Sequence, residues 1–106
     1  MNLDNGIMAE DYIKEALKIK DNEESRFVLA EAYSKKEDFE KAKIEYQKLI
    51  NTNPKNINYT IALTNIYIQE KNFFKARRIL KDFVKQSPED KNNPKLKPYG
   101  ILKLGI

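Results

Sequence analysis

Lys71, Lys75, Arg77, Arg78, Lys81 and Lys85 form the densest group of chemically competent side chains in the sequence, with Asp82 the only acid among them. On a helix, positions 71, 75, 78 and 85 fall along one stripe and 77 and 81 fall beside it, an arrangement that attracts carboxylates or phosphates. Phe73, Phe74 and Phe83 of the same stretch stand at core-like spacing and are not interleaved with the cations as stacking platforms. The stripe therefore reads first as a solvated outer face, next as a contact for an acidic protein partner, and last as a site for RNA or DNA.

Catalytic chemistry lacks its parts. Cysteine and histidine are absent, which removes disulfides, thiolate and imidazole metal sites, and catalysis by either residue. Glu15, Glu31, Glu45 and Asp82 are scattered over amphipathic stretches, with no partner carboxylate placed to raise a pKa for acid–base work. No spaced Asp cluster offers a carboxylate metal site, and no glycine-rich loop could cradle a phosphate. The expectation is a non-enzyme that uses neither cofactor nor metal.

Composition sets the scale of the fold. The 106 residues suffice for one domain, and 41% hydrophobic content suffices for a modest core. A charged fraction of 34% suits a thin, helix-rich body with much surface. No apolar run approaches the ~20 residues of a membrane helix, and the early acids Asp4, Glu10 and Asp11 do not fit a signal peptide. A soluble cytoplasmic protein without membrane contact is expected. The net charge of +4 is uneven: residues 1–53 hold 9 Lys or Arg against 12 Asp or Glu, and residues 54–106 hold 11 against 4. The two halves should attract different partners.

Helical periodicity supplies the elements that must position these groups. Asp4 can cap a helix over residues 5–20, in which Ile7, Met8, Tyr12, Ile13, Ala16 and Leu17 recur at spacings of three and four. Asp21-Asn22-Glu23-Glu24 opens the next helix, which runs to Lys35 with Val28, Leu29, Ala32 and Tyr33 as its buried stripe. After Asp38 a third helix presents Phe39, Ala42, Tyr46, Leu49 and Ile50 on one face and stops at Asn53-Pro54. A second pair follows the same plan over residues 57–69 and 73–86, ending at Ser87-Pro88. No glycine occurs between Gly6 and Gly100, so the turns must be short and built from Asn, Asp, Lys and Pro. The polar, twice proline-punctuated stretch that follows predicts an extended linker, and Tyr99 to Ile106 an apolar tail.

The two pairs are one pattern written twice. Leu29-Ala30-x-x-Tyr33, then Ala42, Tyr46 and Pro54, recurs as Leu63-Thr64-x-x-Tyr67, then Ala76, Leu80 and Pro88, every position offset by 34. Asp38 and Asn72, each just before a Phe, repeat at the same offset. Ala42 and Ala76 have a physical role, since only a small side chain lets two helix backbones approach within ~8 Å. Tyr33 and Tyr67 are the large residues that complement them. A 34-residue unit with these features resembles the tetratricopeptide repeat. The resemblance implies an all-α fold, helix–turn–helix repeats stacked as a short superhelical solenoid. It divides the chain into an N-terminal capping helix at 1–22, repeats at 23–56 and 57–90, and a linker and tail at 91–106.

In that family the first helices of successive repeats line a concave groove. Carried over by position, the groove would comprise Glu24, Phe27, Glu31, Ser34 and Lys35 from the first repeat and Asn58, Ile61, Asn65, Ile68 and Gln69 from the second. The residues agree in part: with the buried stripe filled, Phe27 and Glu31 stand one turn apart on a different face, as do Ile61, Asn65 and Ile68. Apolar anchors beside amides suit a peptide or helix ligand. The resemblance thus implies a scaffold that binds a protein or peptide partner. The carboxylate clamp for chaperone C-termini is disfavoured, because its Lys and Asn positions hold Phe27, Glu31 and Ala62. Binding of nucleic acid or an acidic partner by the basic half is the alternative, and a fragment of a longer repeat protein is another. Two repeats are fewer than the roughly three such stacks need. Support is expected from the N-terminal helix, from the tail docked on its own domain, in the groove or on another subunit, or from self-association as a homo-oligomer.

Overall fold

The computed structural model describes residues 22–102, with side chains through Gly100. The helix expected over residues 5–20 and the last four residues lie outside that span. Within it run α1 (Glu23–Lys35), α2 (Phe39–Thr52), α3 (Ile57–Gln69) and α4 (Phe73–Gln86), then 3₁₀ segments at Pro88–Asp90 and Pro94–Leu102. The described residues contain no strand, and they divide after Thr52 into two compact units.

Each helix begins on a short polar side chain that satisfies a free backbone N–H. Asn22 Oδ1 accepts from the Ser25 amide at 2.8 Å, and Asp38 Oδ1 accepts from Lys41 at 3.4 Å. Asn56 does the same for Asn58 at 3.0 Å, and Asn72 for Lys75 at 3.3 Å. The turn inside each pair is also duplicated. Glu37 and Lys71, 34 residues apart, both take φ of 61°. The amides around them bond backwards identically: Glu37 to Ser34 and Asp38 to Tyr33, Lys71 to Ile68 and Asn72 to Tyr67. These are Schellman closures, which favour glycine at the left-handed position; here a Glu and a Lys occupy it.

In the first unit Leu29, Ala30, Ala32 and Tyr33 of α1 pack on Ala42, Tyr46 and Leu49 of α2. Val28, expected in that stripe, is 38% exposed, and Ala30 is buried instead. The stripe leans toward the side where a small residue permits close approach. In the second unit Thr64 holds the place of Ala30, and its hydroxyl is satisfied by the Thr60 carbonyl at 2.8 Å. Lys41 lies 5.6 Å from the Tyr33 ring centre and Lys75 lies 5.7 Å from that of Tyr67, so even this cation–π contact repeats.

The stretch after Ser87 is wound, not extended. Consecutive i→i−3 bonds join Asp90 to Ser87, Lys91 to Pro88, Asn93 to Asp90 and Leu96 to Asn93. Pro88 and Pro94 open the two segments, where a missing N–H costs nothing. A 3₁₀ turn has three residues, so Leu96 and Tyr99 fall on one side. Both are buried, 5% and 7% exposed, in a cluster with Ala76, Leu80, Phe83 and Val84 of α4.

Candidate functional site

The first-helix residues expected to meet a ligand share a face within each unit. On α1, Phe27 and Ser34 are half-buried while Glu24, Glu31 and Lys35 are exposed. The Phe27 ring meets Tyr46 edge-on, 5.7 Å between centres at 62°, so it is tied to α2. Burial, and secondarily the Glu31 charge, push the Tyr46 hydroxyl up to about 12. An open depression of about 300 Å³ in this unit, lined by Asn22, Glu23, Arg26, Lys48, Leu49 and Thr52, includes none of the expected contact residues.

On α3, Asn58, Asn65 and Gln69 are exposed, and Ile61 and Ile68 are half-buried against the cluster that contains Leu96 and Tyr99. The chain's own 3₁₀ segment, packed on α4, reaches this face through two hydrogen bonds. Tyr99 donates its hydroxyl to Asn65 Oδ1 at 2.6 Å, and Lys95 donates its ammonium to Asn58 Oδ1 at 2.8 Å. An ammonium group has only donors, so Asn58 must present its amide oxygen. Burial raises the Tyr99 pKa, and the Asn65 bond works against that rise. Asn58 and Asn65 thus bond to a short peptide segment, and Ile61 and Ile68 pack against the cluster that its Leu96 and Tyr99 share with α4. Tyr99 was expected in an apolar tail and Leu96 was given no role; their spacing of three across Pro98 was the available signal.

The basic residues of α4 divide. Lys75 belongs to the repeated contact with Tyr67, and Arg77 stacks 5.9 Å from the Phe74 ring centre. Lys71, Arg78, Lys81 and Lys85 are exposed and make no ion pair with a described residue. Of the three aromatics, only Phe83 is core; Phe73 is 47% and Phe74 62% exposed. At helical spacing Phe74 lies amid Arg78, Lys81 and Lys85, so the expected core role of Phe73 and Phe74 is corrected. Among the described residues no helix is long and apolar enough to cross a membrane. The same residues hold no cluster of three or more acidic side chains placed to bind a metal.

Comparison with known proteins bears on this arrangement. Residues 23–56 match the model of a family described as Tetratricopeptide repeat. No curated protein matches the chain. Repeats of this family are protein-interaction scaffolds and generally not catalysts. The match spans α1, α2 and the caps and turn that α3 and α4 reproduce: the chain carries a tetratricopeptide repeat, and its described helices pack in the helix–turn–helix manner of that family.

Proposed function

We propose that the protein is a non-catalytic scaffold that binds a segment of a protein partner on its first helices, through Asn58, Ile61, Asn65, Ile68 and Gln69 on α3 and Phe27, Glu31, Ser34 and Lys35 on α1. One observation carries the reading: the α3 face holds a peptide segment in this structure, with both asparagines accepting its hydrogen bonds. Backbone groups left free by the helix take no part; side-chain amides and aliphatics do the recognition, as in groove-binding modules. A cytoplasmic setting fits a chain without cysteine.

The test is affinity capture from nuclease-treated host lysate at physiological salt. Loss of a retained protein with Ile68→Glu, and its retention with Lys81→Glu/Lys85→Glu, supports the reading. Indifference to Ile68→Glu in a folded chain overturns it. Self-association, expected from the shortness of the array, is checked by sedimentation velocity; a concentration-independent monomer contradicts it.

The exposed Phe73 and Phe74 beside unpaired cations favour a second reading, contact of the α4 outer face with an acidic partner or nucleic acid. Binding there should fall steeply with salt, by orders of magnitude where several phosphates are contacted. A salt-insensitive complex contradicts it.

A further inference from the structure

We propose that the tail segment Lys95–Tyr99 is an internal occupant of the α3 site, and that the ligand it stands in for is a protein segment presenting an aliphatic residue and a tyrosine three positions later. The inference rests on the reading of α3 as a binding face and adds the ligand's chemistry and its control. Three observations carry it.

The first is the polarity of the contacts. Both asparagines act as acceptors, toward a phenol and an ammonium. Either amide can turn to offer its NH2 group instead, and both asparagines are exposed, so these bonds fix the register of the segment rather than the sign of its charge. A phenol and an ammonium are accommodated on this face, whereas the exposed cations of α4 attract acids. The second is the shape of the apolar contact. Leu96 and Tyr99 enter as a pair one 3₁₀ turn apart into the α4 cluster against which half-buried Ile61 and Ile68 also pack. A short turn with that spacing reproduces the contact without the rest of the tail.

The third is the tether. Residues 87–93 close into successive hydrogen-bonded turns, Asn93 anchoring the segment through its side-chain oxygen to the Lys95 amide at 2.9 Å and its side-chain amide to Asp90 at 3.1 Å. A connection this short holds the tail at a local concentration of about millimolar order. A free segment must outcompete it, so the face opens only to a partner that is tighter, tethered or locally abundant. The tail sets a threshold for binding.

The probe is a fluorescein-labelled peptide with the sequence of residues 91–102, titrated by anisotropy into the full chain. Wild type should bind it weakly. Leu96→Ala, which weakens the internal competitor while leaving α3 intact, should bind it at least ten-fold more tightly, and Asn65→Ala added to that variant should remove the gain. A folded Leu96→Ala chain that binds no more tightly than wild type overturns the proposal and makes the tail a permanent part of the core. Should Leu96→Ala fail to fold, hydrogen exchange on wild type decides. Exchange at Leu96 and Tyr99 at least ten-fold faster than at Leu63 and Leu80 supports a tail that opens by itself; equal exchange overturns it. The underlying reading fails separately: capture lost with Ile68→Glu while the peptide never binds refutes the internal occupant alone, and capture indifferent to Ile68→Glu refutes the α3 face.

Discussion

Where α1 meets α2, Arg26 donates to Glu45 at 2.6 Å, with side chains 21% and 13% exposed, and Lys48 approaches the same carboxylate at 3.8 Å. The same two places in the second pair are held by buried Thr60 and half-buried Ile79. Further along α2, Lys41 and Lys43 pair with Asp38 and Glu40, whereas Lys71, Arg78, Lys81 and Lys85 of the second pair meet no described acid. Ser87 is buried and its counterpart Asn53 is exposed. Yet caps, left-handed turns, tyrosine–lysine contacts and the buried alanines repeat at 34 residues. The positions that keep the period hold the backbone in place, and those that break it give each pair its surface. In the first pair Arg26, Lys41, Lys43 and Lys48 are drawn into ion pairs; the second keeps Lys71, Arg78, Lys81 and Lys85 for solvent and packs the tail on its apolar cluster.

The largest effect expected is in the shared core. Leu80→Ala removes a side chain with no exposure and should cost about 3 kcal/mol, read by urea unfolding. It should also free the tail, which packs on the same cluster. A cost under 1 kcal/mol would break the claim that tail and helix pair share one core.

Giving the first pair the content of the second sharpens the comparison. Glu45→Ile alone takes this carboxylate from Arg26 and should cost about 2 kcal/mol, while Arg26→Thr/Glu45→Ile together should lie within about 1 kcal/mol of wild type. Equal losses in the single and double variants would show that the ion pair, not the packing around it, holds the first unit together.

Alkaline pH should weaken the first pair through Tyr46. Its folded pKa of about 12 exceeds the ordinary 10.0, so the folded state keeps a proton that the unfolded state has lost. The contribution is full below pH 10 and falls by about 1.4 kcal/mol per pH unit between there and pH 12. Tyr46→Phe should flatten that limb of the stability profile, and an unchanged slope would contradict the assignment.

Glycine at the duplicated left-handed position should stabilise both pairs. Glu37→Gly and Lys71→Gly are each expected to add up to about 1 kcal/mol, with unequal gains marking where the duplication is imperfect. Ser87→Ala, which removes a buried hydroxyl with no hydrogen-bond partner among the described residues, should be neutral or add about 1 kcal/mol.

The helix ends were legible because Asn22, Asp38 and Asn72 cap strongly and Pro54 and Pro88 forbid continuation. The left-handed turns were not, since Glu37 and Lys71 lack the glycine that normally marks them. Val28 misled because hydrophobicity outranked size, although close approach of helices favours Ala30. Phe73 and Phe74 looked like core for the same reason. A docked tail was expected from Tyr99 onward, but the winding of the stretch before it was not: its prolines and lysines read as linker, and Leu96 shares a side with Tyr99 only at a period of three. On α3, Asn58 and Asn65 were named from the sequence and are bonded here by the chain's own 3₁₀ segment.

Backbone amide NMR of the full chain, titrated with the partner recovered by capture, tests the central claim most directly. The account predicts shifts at Asn58, Ile61, Asn65 and Ile68, accompanied by Leu96 and Tyr99 as the tail leaves. Shifts confined to Arg78, Lys81 and Lys85, with the α3 and tail amides unmoved, would contradict it and place binding on the basic face.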